Sequence, residues 1–155
     1  MKNKKFEIIV LLILCVIFTA CGKSQNSEKN IYEYKTKYVG DNSKVINILS
    51  NLKYLKETSY NSVQILSEKE PYGILVKLNV NSEKVPEKND FFKNTVVMFA
   101  LIENLSFVKY TNISDDKIIA EFTRNEIDNY LKAEVNKNTK EIGMNKKEFV
   151  KYLNE

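Results

Sequence analysis

Carboxylates are the abundant acid–base groups of this 155-residue chain, and several stand close together. Glu68/Glu70, Asp115/Asp116 and Glu126/Asp128 each place two carboxyl groups within reach of one another along the chain. A general acid and a general base of a hydrolase need such a pair. Each pair also has a structural explanation, and that explanation is the expectation here. Glu68 and Glu70 lead into the Pro71-Tyr72-Gly73 turn, Asp115 and Asp116 fall at a hairpin tip, and Glu126 sits at a helix start. The chain has no histidine, so no Ser-His or Cys-His nucleophile pair and no imidazole ligand can form. Four isolated glycines (22, 40, 73 and 143) build neither a dinucleotide nor a phosphate cradle. Zinc lacks ligands, and residues 112–116 lack the D-x-D-x-D-G pattern of a calcium loop. No cofactor, metal or catalytic residue is expected.

The most distinctive string is Tyr38-Val39-Gly40-Asp41-Asn42-Ser43-Lys44-Val45. Its amides could cradle an anion at a helix N-terminus, with Lys44 adding charge. The plainer reading is a turn and helix cap ahead of Val45. Should a binding surface exist, Asp41, Asn42 and Lys44 are its first candidates. Arg124, the single arginine among 24 basic residues, is the next. The other basic residues are lysines scattered along the chain, which makes nucleic acid an unexpected partner. Abundant Lys, Asn, Ile and Tyr suggest an AT-rich genome, with a Gram-positive bacterium as the expected source.

These residues must be positioned by a folded domain. Val45, Ile46, Ile48, Leu49 and Leu52 recur at helical spacing behind a capping oxygen, which predicts a helix over about residues 43–52. Residues 62–68 alternate as a strand. Ile74, Val76, Leu78 and Val80 alternate strictly with polar neighbours, so the two strands form a hairpin around the Pro-Tyr-Gly turn. Asn89-Asp90 caps a second helix running to Ile102, whose unbroken apolar stretch from Val96 places it centrally. Residues 107–111 and 117–123 form a second hairpin. Thr123-x-x-Glu126 fits a capping box for a third helix, and Asn145-x-x-Glu148 opens a last one. Two helix-plus-hairpin units then predict an α+β domain, with a four-stranded antiparallel sheet covered by helices.

The N-terminus predicts export. Lys2, Lys4 and Lys5 precede an apolar run at residues 8–18. Eleven helical residues span roughly 16 Å, about half of a bilayer's hydrocarbon core. That is an export segment rather than a spanning helix. Its end, Phe18-Thr19-Ala20-Cys21-Gly22, resembles the lipobox of bacterial lipoproteins, with Phe18 where leucine is usual. The resemblance implies cleavage before Cys21 and acylation of its sulfur, which would hold the protein to membrane lipid on the extracytoplasmic face. The expected layout is a signal peptide at 1–20, a lipidated tether at 21–36 and one domain at 37–155. Cys15 would leave with the signal and Cys21 would carry lipid, so no disulfide can form. The formal charge of +4 falls by two when residues 1–20, with three Lys and one Glu, are removed.

The string YVGDNSKV, the strand Tyr72-Gly-Ile-Leu-Val-Lys-Leu, and Val108-Lys-Tyr-Thr-Asn-Ile-Ser-Asp-Asp-Lys running into Ala120-Glu-Phe-Thr-Arg together resemble domain of unknown function 4825 over about residues 35–133. That family consists of extracytoplasmic modules on lipoproteins and membrane-anchored proteins. The resemblance implies a location and a binding or regulatory setting, and it supplies no catalytic residue. The expected function is a non-catalytic lipoprotein domain that binds a ligand or a membrane or envelope protein. A carboxylate-based cell-envelope hydrolase and an inhibitory or structural subunit are the alternatives.

Overall fold

The computed structural model describes residues 31–81 and 86–154. The export segment, Cys21 and the tether at 22–30 lie outside the described residues. A four-stranded sheet, β1 (Thr58–Leu66), β2 (Gly73–Val80), β3 (Phe107–Asn112) and β4 (Ile118–Thr123), is ordered β1-β2-β3-β4. Helix α1 (Asn42–Ser50) precedes it and α2 (Phe92–Leu101) lies between the hairpins. Three C-terminal helices follow: α3 (Arg124–Val135), α4 (Thr139–Ile142) and α5 (Lys146–Asn154). The α+β class is as expected, but the sheet is mixed rather than wholly antiparallel. Both hairpins are antiparallel, whereas the central β2–β3 pair is parallel, with Val76 opposite Tyr110. A single helix joins the hairpins, and it carries the chain back to the end of the sheet where β2 began. A long crossover of this kind makes the next strand parallel.

The register assembles the core in rows. Ile74, Val108 and Phe122 align across three strands, as do Val76, Tyr110 and Ala120, and all six are buried. Period-two alternation sends them to one face, where α2 covers them. Every residue of α2 from Asn94 to Leu101 is buried, which explains why its sequence lacks a polar face. The cap of its leading turn differs from expectation. Glu87 and Asp90 reciprocally cap a short 3-10 turn, Lys88–Phe91, before α2 begins. Phe91 stacks on Tyr110 with centroids 4.3 Å apart. Thr95 Oγ1 donates to the Phe91 carbonyl (2.8 Å), so Tyr110 O–H must donate to Thr95 (3.0 Å).

Structure begins earlier than the expected end of the tether. Ile31 and Thr36 are buried, and Thr36 exchanges backbone hydrogen bonds with Leu101 and Glu103 in a parallel bridge beside Ile102. Tyr32 packs on Phe149 of α5. Helix α4 was not foreseen, being one turn long. It docks so closely on α2 that a Cβ on Gly143 would lie 1.9 Å from the Ala100 carbonyl oxygen. Backbone meets backbone there, and only glycine fits.

Burial raises the pKa of Tyr54 well above the ordinary tyrosine value, reinforced by Tyr110 and Tyr60. Its hydroxyl donates to the Leu49 carbonyl, 3.0 Å away. A raised native pKa means that this contribution to stability is complete below the unfolded value near 10 and is lost as pH rises beyond it. Urea titrations between about pH 9 and about pH 11 should show stability falling. Tyr54→Phe should be less stable at neutral pH yet show a shallower alkaline decline. Equal slopes would remove Tyr54 as the cause.

Candidate functional site

The end of β4 places Arg124 beneath the C-terminus of α2, where carbonyls lack helical partners. All five guanidinium N–H groups find acceptors there. Nε donates to Leu105 O (2.8 Å). Nη1 donates to Phe99 O (2.9 Å) and Thr139 Oγ1 (2.7 Å). Nη2 donates to Ile102 O (2.8 Å) and Glu103 O (3.3 Å). The guanidinium carbon also lies 4.9 Å from the Phe99 ring centroid. Burial pulls the guanidinium's pKa below its ordinary value, while the charges of Asp128 and Glu103 pull the other way. The negative end of the α2 dipole favours a cation at this position. Asp128, one turn further along α3, accepts from the Thr139 amide at 2.7 Å. Arg124 and Asp128 therefore grip α4 by its first residue.

Above this clamp lies a cleft of about 830 Å³ between residues 35–38, the end of α2 and the α3–α4 region. Lys35 Nζ ties one wall to the other, with Glu103 Oε1 at 3.3 Å and the Gly143 carbonyl at 2.8 Å. Tyr32 O–H reaches that same carbonyl at 3.2 Å. Asn104 Oδ1 accepts from the Val39 amide at 2.7 Å. Asn138 and Glu141 form a reciprocal capping box at the start of α4, with both hydrogen bonds at 2.8 Å. At the mouth, Tyr38 is 67% and Met144 66% exposed. Lys37 and Lys140 also line the cleft, exposed and without an ion pair or hydrogen bond among the described residues.

Of the four candidate binding residues, Asp41, Asn42, Lys44 and Arg124, only Arg124 lines this cleft, joined there by Asp128 of the Glu126/Asp128 pair. The Arg124 donors are fully engaged, so this side chain builds the site and has none left to offer a ligand. Asp41 is the N-cap of α1, its Oδ1 accepting from the Lys44 amide (3.3 Å). Lys44 Nζ donates to the Lys35 carbonyl (3.2 Å) and stands 3.9 Å from Asp41 Oδ2. The amides of Asp41, Asn42, Lys44 and Val45 all have acceptors within the turn, which is the cap rather than an open anion cradle. Asn42 itself is exposed and outside the cleft lining.

Two of the three carboxylate pairs are similarly engaged, whereas Glu68 and Glu70 are exposed on the turn before β2. Asp116 pairs with Lys77 (3.2 Å) at the hairpin tip, and Asp115 accepts from the Lys117 amide (3.1 Å). Thr123 caps α3 through the Glu126 amide, but the Glu126 carboxylate turns to Lys88 (2.6 Å) instead of closing the box. Among the described residues no group of three or more Asp, Glu, Cys or His could hold a metal ion, and no helix is long and apolar enough to cross a membrane. Sequence reasoning missed Lys37, Lys140, Met144 and the side chains of Asn104 and Asn138. The Asn138-x-x-Glu141 spacing was the one available signal, because it marks the start of α4.

Replacing Arg124 tests the clamp. Lysine keeps the charge but has three donors in place of five, and lacks the planar fork. Arg124→Lys should cost about 2 kcal/mol in urea unfolding, and amide exchange at Thr139 should accelerate. Stability within about 0.5 kcal/mol of the parent would show that the five hydrogen bonds carry little.

The family described as Domain of unknown function (DUF4825) matches residues 31–125, from the buried Ile31 to just past Arg124. No curated protein and no solved structure matches the chain. Since the match covers more than half of the sequence, this chain belongs to the DUF4825 family.

Proposed function

We propose that this protein is a lipid-anchored extracytoplasmic module that holds a ligand or a membrane-protein partner in the Arg124 cleft without turning it over. Acylation at Cys21 would provide the anchor, since two fatty chains hold firmly where one is marginal. The observation that carries the binding reading is the division of labour around the cleft. Its polar interior is tied up in construction: Arg124, Asp128, Lys35 and the oxygens of Asn104 and Asn138 all hold elements together. Its mouth instead presents Tyr38 and Met144 to solvent. Large exposed apolar side chains beside a concave wall suit contact with a molecule, and carboxylates already bonded to backbone amides are poorly placed to move protons.

Two measurements test this reading. Labelled palmitate should enter the wild-type chain and not Cys21→Ala; equal labelling would remove the anchor. A photo-crosslinking amino acid at Tyr38, introduced in living cells, should capture an adduct absent when the same group replaces Ile118. Ile118 is 52% exposed and away from the cleft lining. Matching yields at the two positions would remove the cleft as the binding surface.

A further inference from the structure

The hydrogen-bonding capacity left over on the amides and lysines of the cleft is donor-only. Asn104 Oδ1 is taken by the Val39 amide and Asn138 Oδ1 by the Glu141 amide. A backbone N–H can only donate, so it fixes which end of each side-chain amide is the oxygen. What remains on both residues is the NH₂, which is donor-only. Lys37 and Lys140 add ammonium groups, again donor-only, with no partner among the described residues. Three carboxylates line the same space, each with one oxygen engaged and one still able to accept: Glu103 with Lys35, Asp128 with the Thr139 amide, Glu141 with the Asn138 amide. Lys35, Lys37, Lys140 and Arg124 outnumber them, so the lining keeps a net positive charge. Arg124 contributes its charge from the floor with no donor to spare. Beside these donors lie the apolar surfaces of Tyr38 and Met144.

We infer that the cleft takes an amphiphilic oxyanion, its head received by Lys37, Lys140 and the amide groups of Asn104 and Asn138, and its apolar body resting on Tyr38 and Met144. The inference rests on the cleft being a binding site and adds the chemistry of the ligand. A phospholipid headgroup and a free amphiphilic anion share this chemistry.

Methionine methyl NMR on the full chain reads the site directly. Met144 reports from the cleft, and Met98, fully buried in α2, is the internal control. In neutral detergent, dihexanoyl phosphatidylglycerol should shift the Met144 methyl saturably and leave Met98 in place, and inorganic phosphate should compete weakly. The double change Lys37→Gln/Lys140→Gln should raise Kd at least about tenfold, since two charge-assisted hydrogen bonds are lost. Lys37→Arg/Lys140→Arg should retain binding. Both lysines are exposed, so neither variant should unfold the domain, and an unchanged Met98 signal would verify that.

Reconstitution into phosphatidylcholine discs with or without phosphatidylglycerol separates the sources. A Met144 shift from the disc alone identifies a bilayer headgroup, and a shift only on adding soluble lipid identifies a free ligand. A Met144 signal unmoved by every anionic probe, or moved equally in the glutamine variant, would overturn the inference. A neutral adduct captured at Tyr38 beside an unmoved Met144 would sink the oxyanion while leaving the binding reading intact.

Discussion

A cation withdrawn from water organises this domain. Moving a guanidinium into protein costs several kcal/mol unless every donor is met, and the Arg124 donors are all met by groups that themselves need partners. Because Ile102 is extended and the chain turns toward β3, no helical amide follows to meet Phe99 O, and the guanidinium meets it instead, adding a second bond at Ile102 O beside the one from the Leu105 amide. Two deficits cancel in one place. The arrangement also explains why this position calls for arginine in a chain otherwise supplied with lysine. Five donors in a rigid plane can join four carbonyls and a hydroxyl, which a single ammonium cannot do.

The clamp works because the crossover puts its parts together. A parallel β2–β3 pair requires α2 to lie across the sheet, which brings the C-terminus of α2 to the end where β3 begins and β4 finishes. Arg124 is the first residue after β4 and so arrives at that C-terminus without any long loop. Gly143 completes the assembly from the other side, its missing side chain allowing α4 to rest on the Ala100 backbone. Sheet topology, helix end and glycine are thus three constraints on one corner of the molecule.

Much of the fold was legible in the sequence, because period two and period 3.6 are direct consequences of burial. Ile74, Val76 and Leu78 disclosed their strand, and Val96 to Ile102 disclosed a helix hidden on all sides. Strand direction was not legible in the same way. Two helix–hairpin units look alike whether their sheets join antiparallel or parallel, and the outcome depends on where one helix delivers the chain. The clamp was half-visible. A single arginine invites a binding role, but its carbonyl partners are backbone atoms, and no residue type announces them. The reversed case is Asp41, where capping and anion-binding readings use the same string, and the filled amides around α1 decide for the cap.

The cleft was the least legible feature, and the reason is its construction from segments far apart in sequence. Lys37 and Tyr38 come from the chain's approach to α1, Asn104 from the turn after α2, and Asn138, Lys140 and Met144 from around α4. The family match ends at residue 125. It therefore includes the arginine and the wall bearing Tyr38, but not Thr139, which the arginine holds, nor the opposite wall. The shared domain supplies a floor and one side, and the second side comes from helices outside the matched range. Family membership accordingly describes the scaffold more fully than it describes what the cleft holds, as expected where function resides in side chains mounted on a fold. Closely spaced Lys37 and Tyr38 face residues about a hundred positions away, so the chemistry of this site becomes readable once α4 is docked and not before.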